Sequence, residues 1–136
     1  MGKLHLEVVT PEKVMVSQEV DIVVAPGSMG EFGVLEGHVP FLSGIEPGEL
    51  RFTSGSQTER FLVTAGFSEV SDNKVSVLVD AAEKATEIDT ERARKAMERA
   101  RERLDMARGR EDVDFLRAEA ALKRAILRIR ISEKKI

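Results

Sequence analysis

The chain has 136 residues, of which 42% are hydrophobic and 33% charged, and it contains no cysteine. This length and composition are typical of one globular domain or a small domain with an appended segment, and the missing cysteines exclude disulfides and thiolate chemistry. No apolar run approaches the ~20 residues that a membrane helix needs. The first residues also lack the layout of a secretion or transit signal. We therefore expect that the chain spans no membrane and that the mature chain begins here.

The net charge of −3 is distributed unevenly. Residues 1–84 carry 6 Lys/Arg against 13 Asp/Glu, a balance of −7, whereas residues 85–136 carry 15 against 11, a balance of +4. We therefore predict two domains, 1–84 and 85–136. The basic half mixes both signs and all aromatic residues are Phe, so the concentrated positive surface and the stacking platforms of a nucleic-acid-binding protein are missing. We expect no nucleic acid partner.

The first domain shows the period-two alternation of half-buried β-strands. The predicted inward positions are Leu4, Leu6 and Val8; Val20, Ile22 and Val24; Leu50 and Phe52; Phe61 and Val63; and Val75, Val77 and Val79. Gly, Pro, Asn and Asp separate these runs, and Ser-Asp-Asn-Lys at 71–74 predicts a tight hairpin. Many short strands at regular spacing favour a two-sheet sandwich or a barrel.

A Gly/Pro-rich segment at 26–50 departs from this alternation. Five of the ten glycines lie between positions 27 and 44, with prolines at 26, 40 and 47. The segment lacks the Gly-Lys-Ser/Thr ending of a phosphate loop. His38 has Glu36 beside it but no second histidine or cysteine, so we expect no metal site. Two interpretations stay open: turns and a corner of the sandwich, or a docking loop on a rigid scaffold.

The second domain changes to a helical period. Asp89 is a good N-cap residue and Glu91 lies in the first turn, where the helix dipole favours an anion. The apolar stripe of this helix comprises Ala93, Ala96, Met97, Ala100, Leu104 and Ala107. Residues 108–112 break the pattern, and Asp112 can cap a second helix. The apolar side of the second helix comprises Phe115, Ala118, Leu122, Ala125, Ile126 and Ile129, with Leu116, Ala120, Leu127 and Ile131 beside them. We predict an antiparallel two-helix hairpin.

The arginines of these helices allow two interpretations. They can form a solvated face with ion pairs between residues three or four apart. Alternatively, Arg92 near the first helix start and the Arg124/Arg128 pair, one turn apart on the second helix, converge on a phosphate. The spacing permits both arrangements.

Four segments in order resemble the ε subunits of bacterial F-type ATP synthases over essentially the whole chain. They are VVTPEKVMVSQEVDIVVAPGSMGEFGVLEGHVPFLSGIEPGEL, AGFSEVSDNKVSVLVDAAEKATEID, IDTERA and DVDFLRAEAALKRAILRIRI. The resemblance implies an α+β fold, with a ten-stranded N-terminal β-sandwich followed by a C-terminal antiparallel two-helix hairpin. It also implies a non-catalytic subunit that has no catalytic residues and requires no cofactor.

The resemblance further implies a rotor role in the central stalk. The partners would be the γ subunit, the ring of c subunits and, through the C-terminal helices, the catalytic β and the α subunits. Glu31, Phe32 and His38 would dock on the c-ring. Glu36 stands where many relatives have proline, and Met29 where an acidic residue is common. The chain would lie peripherally at the cytoplasmic face of the bacterial inner membrane.

In some bacterial members the C-terminal domain senses ATP, which implies a regulatory ATP site here. The implied site residues are Glu83, Ile88, Asp89, Arg92, Ala93, Arg124 and Arg128. The arginines would hold phosphate oxygens, and the two carboxylates would accept from adenine or ribose, although capping alone also explains Asp89. The resemblance implies that the hairpin extends to inhibit ATP hydrolysis and that ATP holds it compact. The alternative is a purely structural rotor subunit without nucleotide sensing.

Overall fold

The structure is a computed structural model that describes residues 3–106 and 113–133. The chain divides into two compact units between Ala85 and Thr86. The first unit holds ten strands: β1 (Leu4–Val9), β2 (Val14–Val20), β3 (Ile22–Gly27), β4 (Gly30–Val34), β5 (Phe41–Ile45), β6 (Gly48–Ser54), β7 (Gln57–Val63), β8 (Gly66–Ser71), β9 (Lys74–Val79) and β10 (Ala82–Lys84).

The strands are paired in the order β10-β7-β6-β3-β5-β8-β9-β1-β2, and β4 pairs with β3. Neighbours are antiparallel except for β1 and β9, which are parallel. The link between β3 and β5 is a single pair, Gly27 with Ile45, so the strands form two halves joined at this point. Side chains of β1 and β9 from one half and of β6 and β7 from the other share one hydrophobic core. The predicted β-sandwich is therefore confirmed.

Alternation correctly located most of the core but was wrong at the start of β3. Val20 is buried as predicted, whereas Ile22 and Val24 are only half-buried and the core positions are Val23 and Ala25. Asp21 separates β2 from β3, and its N–H donates to the Thr53 carbonyl at 2.7 Å. Because the side-chain period is two, this single intervening residue shifts the inward set by one position.

The predicted hairpin at 71–74 is present. β8 and β9 pair antiparallel from Gly66–Val79 to Ser71–Lys74. Asp72 and Asn73 occupy the two turn positions with φ of 50° and 60°. Two left-handed residues in succession form the type I′ turn, whose twist matches the flanking strands, and Asn and Asp tolerate this backbone well.

The described residues of the second unit form two helices, α1 (Thr90–Met106) and α2 (Val113–Glu133), which follow a 3-10 turn at Ala85–Glu87. They are antiparallel, because the Thr90 hydroxyl donates to Ser132 Oγ at 2.8 Å and connects the first turn of α1 to the last turn of α2. The buried helix residues are mainly alanines, namely Ala93, Ala100, Ala118 and Ala125. The predicted turn at 108–112, with Ala107 and the Asp112 cap, lies outside the described residues.

Candidate functional site

Two of the three predicted c-ring docking residues lie on β4. Glu31 is exposed, and its carboxylate accepts hydrogen bonds from both terminal nitrogens of Arg51, at 3.1 and 3.4 Å. This bond raises the pKa of the Arg51 guanidinium above its usual value. Phe32 is half-buried, packs against the core and meets the Phe41 ring edge-on at 5.1 Å. Glu31 is therefore available at the surface as one member of an ion pair, while Phe32 mainly supports the strand.

The third docking residue, His38, lies in the β4–β5 loop, which we define as residues 35–40. The His38 N–H donates to the Leu35 carbonyl at 3.1 Å, and Gly37 between them has φ of 81°. A left-handed third residue together with this bond defines a type II turn, in which proline is favoured at the second position, here Glu36. His38 Nδ1 donates to the Val39 carbonyl at 2.7 Å. The loop thus has a defined turn at its centre.

A row of apolar side chains crosses the outer surface of one half of the sandwich. Cross-strand pairs connect Phe67 with Leu78, Leu78 with Val9, and Val9 with Val14, so these four side chains share a face. Leu42, on the same face of β5, adjoins them because Gly44, two residues on, pairs with Phe67. Leu42 is 68% and Phe67 51% exposed. We call these five residues the outer band.

The predicted ATP-site residues of the first helix cluster at its start. Asp89 caps α1, because its Oδ1 accepts the Arg92 N–H at 3.0 Å and its carbonyl accepts the Ala93 N–H at 3.0 Å. Ile88 and Ala93 are buried and Arg92 is exposed. Glu83 belongs to the first unit, where β10 pairs it with Leu62. The cap geometry expected of Asp89 is therefore present.

From helical spacing we infer that Arg124 and Arg128 of α2 lie on the flank of the hairpin that also carries Arg92. The opposite flank is marked by a groove of about 350 Å³ between the helices, lined by Arg94, Met97, Glu98, Arg101, Ile126, Ile129 and Arg130. Arg92 is two residues from Arg94, and Arg124 and Arg128 are each two residues from Ile126. Two residues turn a helix by about 200°, so all three arginines point away from the groove.

The outer band and the groove were missed by the sequence analysis. The band has a signal in the sequence, since it consists of apolar residues at the outward positions of strands. Among residues 3–106 and 113–133, no three His, Asp or Glu side chains form a group suited to a metal ion. Neither described helix has the length and apolarity required to cross a membrane.

The fold defines a class of two-domain chains in which a ten-stranded β-sandwich is followed by an antiparallel helical hairpin. The family model "ATP synthase, Delta/Epsilon chain, beta-sandwich domain" matches residues 3–85, and "ATP synthase, Delta/Epsilon chain, long alpha-helix domain" matches residues 86–133. An ATP synthase epsilon chain of Nitratidesulfovibrio vulgaris is 53% identical over 128 residues, 94% of each chain.

Two solved structures share the fold. A chain in the Euglena gracilis mitochondrial ATP synthase, OSCP/F1/c-ring, has a TM-score of 0.82 at 24% identity and covers 93% of this chain and 79% of its own. A chain in the central stalk/c-ring structure of the Tetrahymena thermophila mitochondrial ATP synthase has a TM-score of 0.59 at 19% identity, covering 96% and 94%.

The chain belongs to the ATP synthase delta/epsilon family, among whose members it matches epsilon chains over nearly its full length. It is accordingly a non-catalytic subunit of ATP synthase. The family, the fold and the non-catalytic nature implied by the sequence resemblance are thus confirmed.

Proposed function

We propose that this chain is a rotor subunit of the central stalk. Its sandwich docks on the γ subunit and the c-ring, and its hairpin binds ATP and regulates ATP hydrolysis. As part of the complex it lies peripherally at the cytoplasmic face of the bacterial inner membrane. The proposal rests on the family resemblance and on three features of the two units, namely the outer band, the β4–β5 loop and the arginines of the hairpin.

The outer band is the observation that carries the docking role. Large apolar side chains scattered singly over a surface need no explanation, but a contiguous apolar row marks an interaction site. Five side chains from β1, β2, β5, β8 and β9 form such a row, and Val14 at one end is 57% exposed. The rigid sheet beneath fixes their spacing, which suits a permanent contact with the γ subunit.

The β4 strand and the β4–β5 loop form the proposed contact with the c-ring. The exposed Glu31 carboxylate supplies charge, while Leu35 and Val39 are 58% and 67% exposed and supply apolar contact. His38 lies between these two side chains in the loop. This mixture resembles ordinary interfaces between subunits, in which an apolar centre is surrounded by polar groups.

The hairpin is suited to exchanging partners. Its helices meet through alanines, whose burial contributes less than that of larger apolar residues. Arg92, Arg124 and Arg128 share one flank, where their guanidinium groups would hold phosphate oxygens by charge-assisted bonds. ATP bound by both helices stabilises the compact hairpin by mass action. Without ATP the basic helices extend along the γ subunit toward acidic surfaces of the β subunits and inhibit hydrolysis.

The docking role is tested by replacing Leu42 and Phe67 with serine. Binding of the full chain to ATP synthase depleted of this subunit is then measured by sedimentation. Loss of two anchors from an interface should weaken binding by at least about tenfold. Gln57→Ala, at an exposed position of β7 outside the band, is the control and should bind like wild type. Equal affinity of all three proteins would reject the outer band as the docking surface.

The regulatory role is tested by replacing Arg124 and Arg128 with alanine. Energy transfer between dyes on the sandwich and on the end of α1 reports compaction at increasing ATP concentrations. The double variant should need much more ATP for compaction than wild type. Unchanged compaction would reject the proposed ATP site and favour a structural rotor subunit without nucleotide sensing.

A further inference from the structure

The side chain of Asn73 connects two loops that are far apart in the sequence. Its Oδ1 accepts the Gly37 N–H at 2.7 Å. Gly37 lies in the turn of the β4–β5 loop, and Asn73 lies in the β8–β9 turn. The carbonyl of Asn73 also accepts the His5 N–H at 2.9 Å, next to the start of β1. Asn73 thus bonds the loop to a turn that is itself held by the sheet.

The β8–β9 turn does not need the asparagine side chain. Asn73 has φ of 60° at the second central position of a type I′ turn, where glycine is the preferred residue and Asp-Gly is a favoured pair. Glycine at position 73 would preserve or improve the hairpin. The turn therefore does not require the side-chain amide of Asn73. What this amide adds is the hydrogen bond that it accepts from the Gly37 N–H.

The β4–β5 loop gains little stability from burial of its own side chains. Leu35 and Val39 are both more than half exposed, and Glu36 and Pro40 are exposed as well. The type II turn fixes the local shape of residues 35–38 but does not attach them to the neighbouring strands. The 2.7 Å bond from Gly37 to Asn73 supplies such an attachment at the centre of the loop.

We propose that Asn73 is a positioning residue for docking, holding the β4–β5 loop in the orientation that presents His38 and Leu35 to the partner. This inference rests on the proposed docking of the loop on the c-ring. Fixing the loop before contact removes an ordering cost from binding. Asn73 itself need not touch the partner.

Two substitutions at position 73 separate positioning from folding. Asn73→Gly removes the amide and keeps the left-handed backbone, whereas Asn73→Asp keeps both an acceptor for the Gly37 N–H and a tolerated backbone. Hydrogen exchange of the Gly37 amide in the full chain should be about two- to tenfold faster in Asn73→Gly, the range expected for loss of one hydrogen bond. Asn73→Asp should exchange like wild type, and thermal unfolding should show no loss of stability in Asn73→Gly.

Affinity for ATP synthase depleted of this subunit is measured on the same proteins. Asn73→Gly should bind more weakly by a similar factor, and Asn73→Asp should bind like wild type. Wild-type exchange at Gly37, or wild-type affinity, in Asn73→Gly would overturn the positioning role. A Leu35→Ala/His38→Ala variant tests docking by the loop independently. If this variant binds like wild type, the proposed docking of the loop fails; if it binds weakly while Asn73→Gly does not, only the role of Asn73 fails.

Discussion

The Thr90 hydroxyl, on the first turn of α1, lies 2.8 Å from the Ser132 hydroxyl on the last turn of α2, to which it donates. Ser132 in turn donates to the Ile129 carbonyl one turn earlier, at 3.0 Å. An exposed ion pair between Arg94 and Glu133, at 2.9 Å, lies next to this chain of bonds. The helix ends are therefore joined by specific polar contacts, whereas alanines dominate the buried contacts along their length.

Replacing Thr90 with valine should loosen the helix ends. Valine keeps the shape of threonine but removes the donor, at a cost of about 0.5–1.5 kcal/mol for one partly buried hydrogen bond. Urea unfolding of the helical circular dichroism signal measures the change. Thr90→Ser keeps the hydroxyl and is the control. Equal unfolding of the two variants would show that the bond contributes nothing to the hairpin.

The Asp89 cap gives a prediction for the start of α1. Asp89→Ala should destabilise the hairpin by about 0.5–2 kcal/mol, because the Arg92 N–H loses its acceptor. Asp89→Asn keeps a good cap and should change stability little. Helicity and amide exchange in the first turn of α1 measure both effects.

The Asp89→Ala and Asp89→Asn variants also test Asp89 as an ATP ligand. Weaker ATP binding by Asp89→Asn, in which the cap is intact, would support that role.

The type II turn of the β4–β5 loop predicts a stabilising substitution. Glu36→Pro fixes φ near the value that the second turn position requires, which should add about 0.4–1 kcal/mol by restricting the unfolded chain. Thermal unfolding measures the gain. Gly37→Ala should have the opposite effect, because alanine is strained at φ of 81°. A gain from alanine or a loss from proline would contradict the assigned turn.

Asp21 makes part of the sandwich stability depend on pH. The hydrogen bond from Lys3 at 2.8 Å, followed by that from the Gly55 N–H, lowers the pKa of the Asp21 carboxyl. A lowered folded-state pKa gives stability that is present above the unfolded value of about 3.9 and is lost as the pH falls through the folded value. Asp21→Asn should be less stable than wild type at neutral pH, with a difference that shrinks below about pH 4.

Unfolding curves at several pH values between about 2 and 7 check this dependence. Asp80→Asn changes the net charge by the same amount at another exposed position and serves as the control. A difference between Asp21→Asn and wild type that stays constant over the whole range would contradict the role of the ionised Asp21 carboxylate.

Local chemistry was sufficient to predict the elements whose form depends on neighbouring residues. The Asp72–Asn73 turn follows from two residues that tolerate a left-handed backbone, and the start of α1 follows from Asp89. Which residues of β3 point into the core could not be predicted in this way. Their position is set by pairing with β4 and β6 after the break at Asp21, and a continuous period-two pattern from Val20 to Val24 does not reveal that break.

The candidate sites depend more strongly on contacts between distant segments. The Gly-rich segment around Phe32 suggests that this residue lies at the surface. In the structure Phe41 and the core partly bury it. The bond between Gly37 and Asn73 joins residues 36 positions apart, and neither residue type predicts it. Helical spacing did place Arg124 beside Arg128. Their relation to Arg92 required the direction of α2, which the Thr90–Ser132 contact provides.

Titration of the full chain with ATP by calorimetry tests the nucleotide-binding role of the hairpin most directly. Wild type, Arg92→Ala and Arg101→Ala should be compared, because the last removes the same charge from the groove on the opposite flank. Wild type should show saturable binding that weakens by about tenfold or more in Arg92→Ala, as expected for a lost bond to a charged group, and stays unchanged in Arg101→Ala. No binding at millimolar ATP, or equal weakening in both variants, would contradict that role.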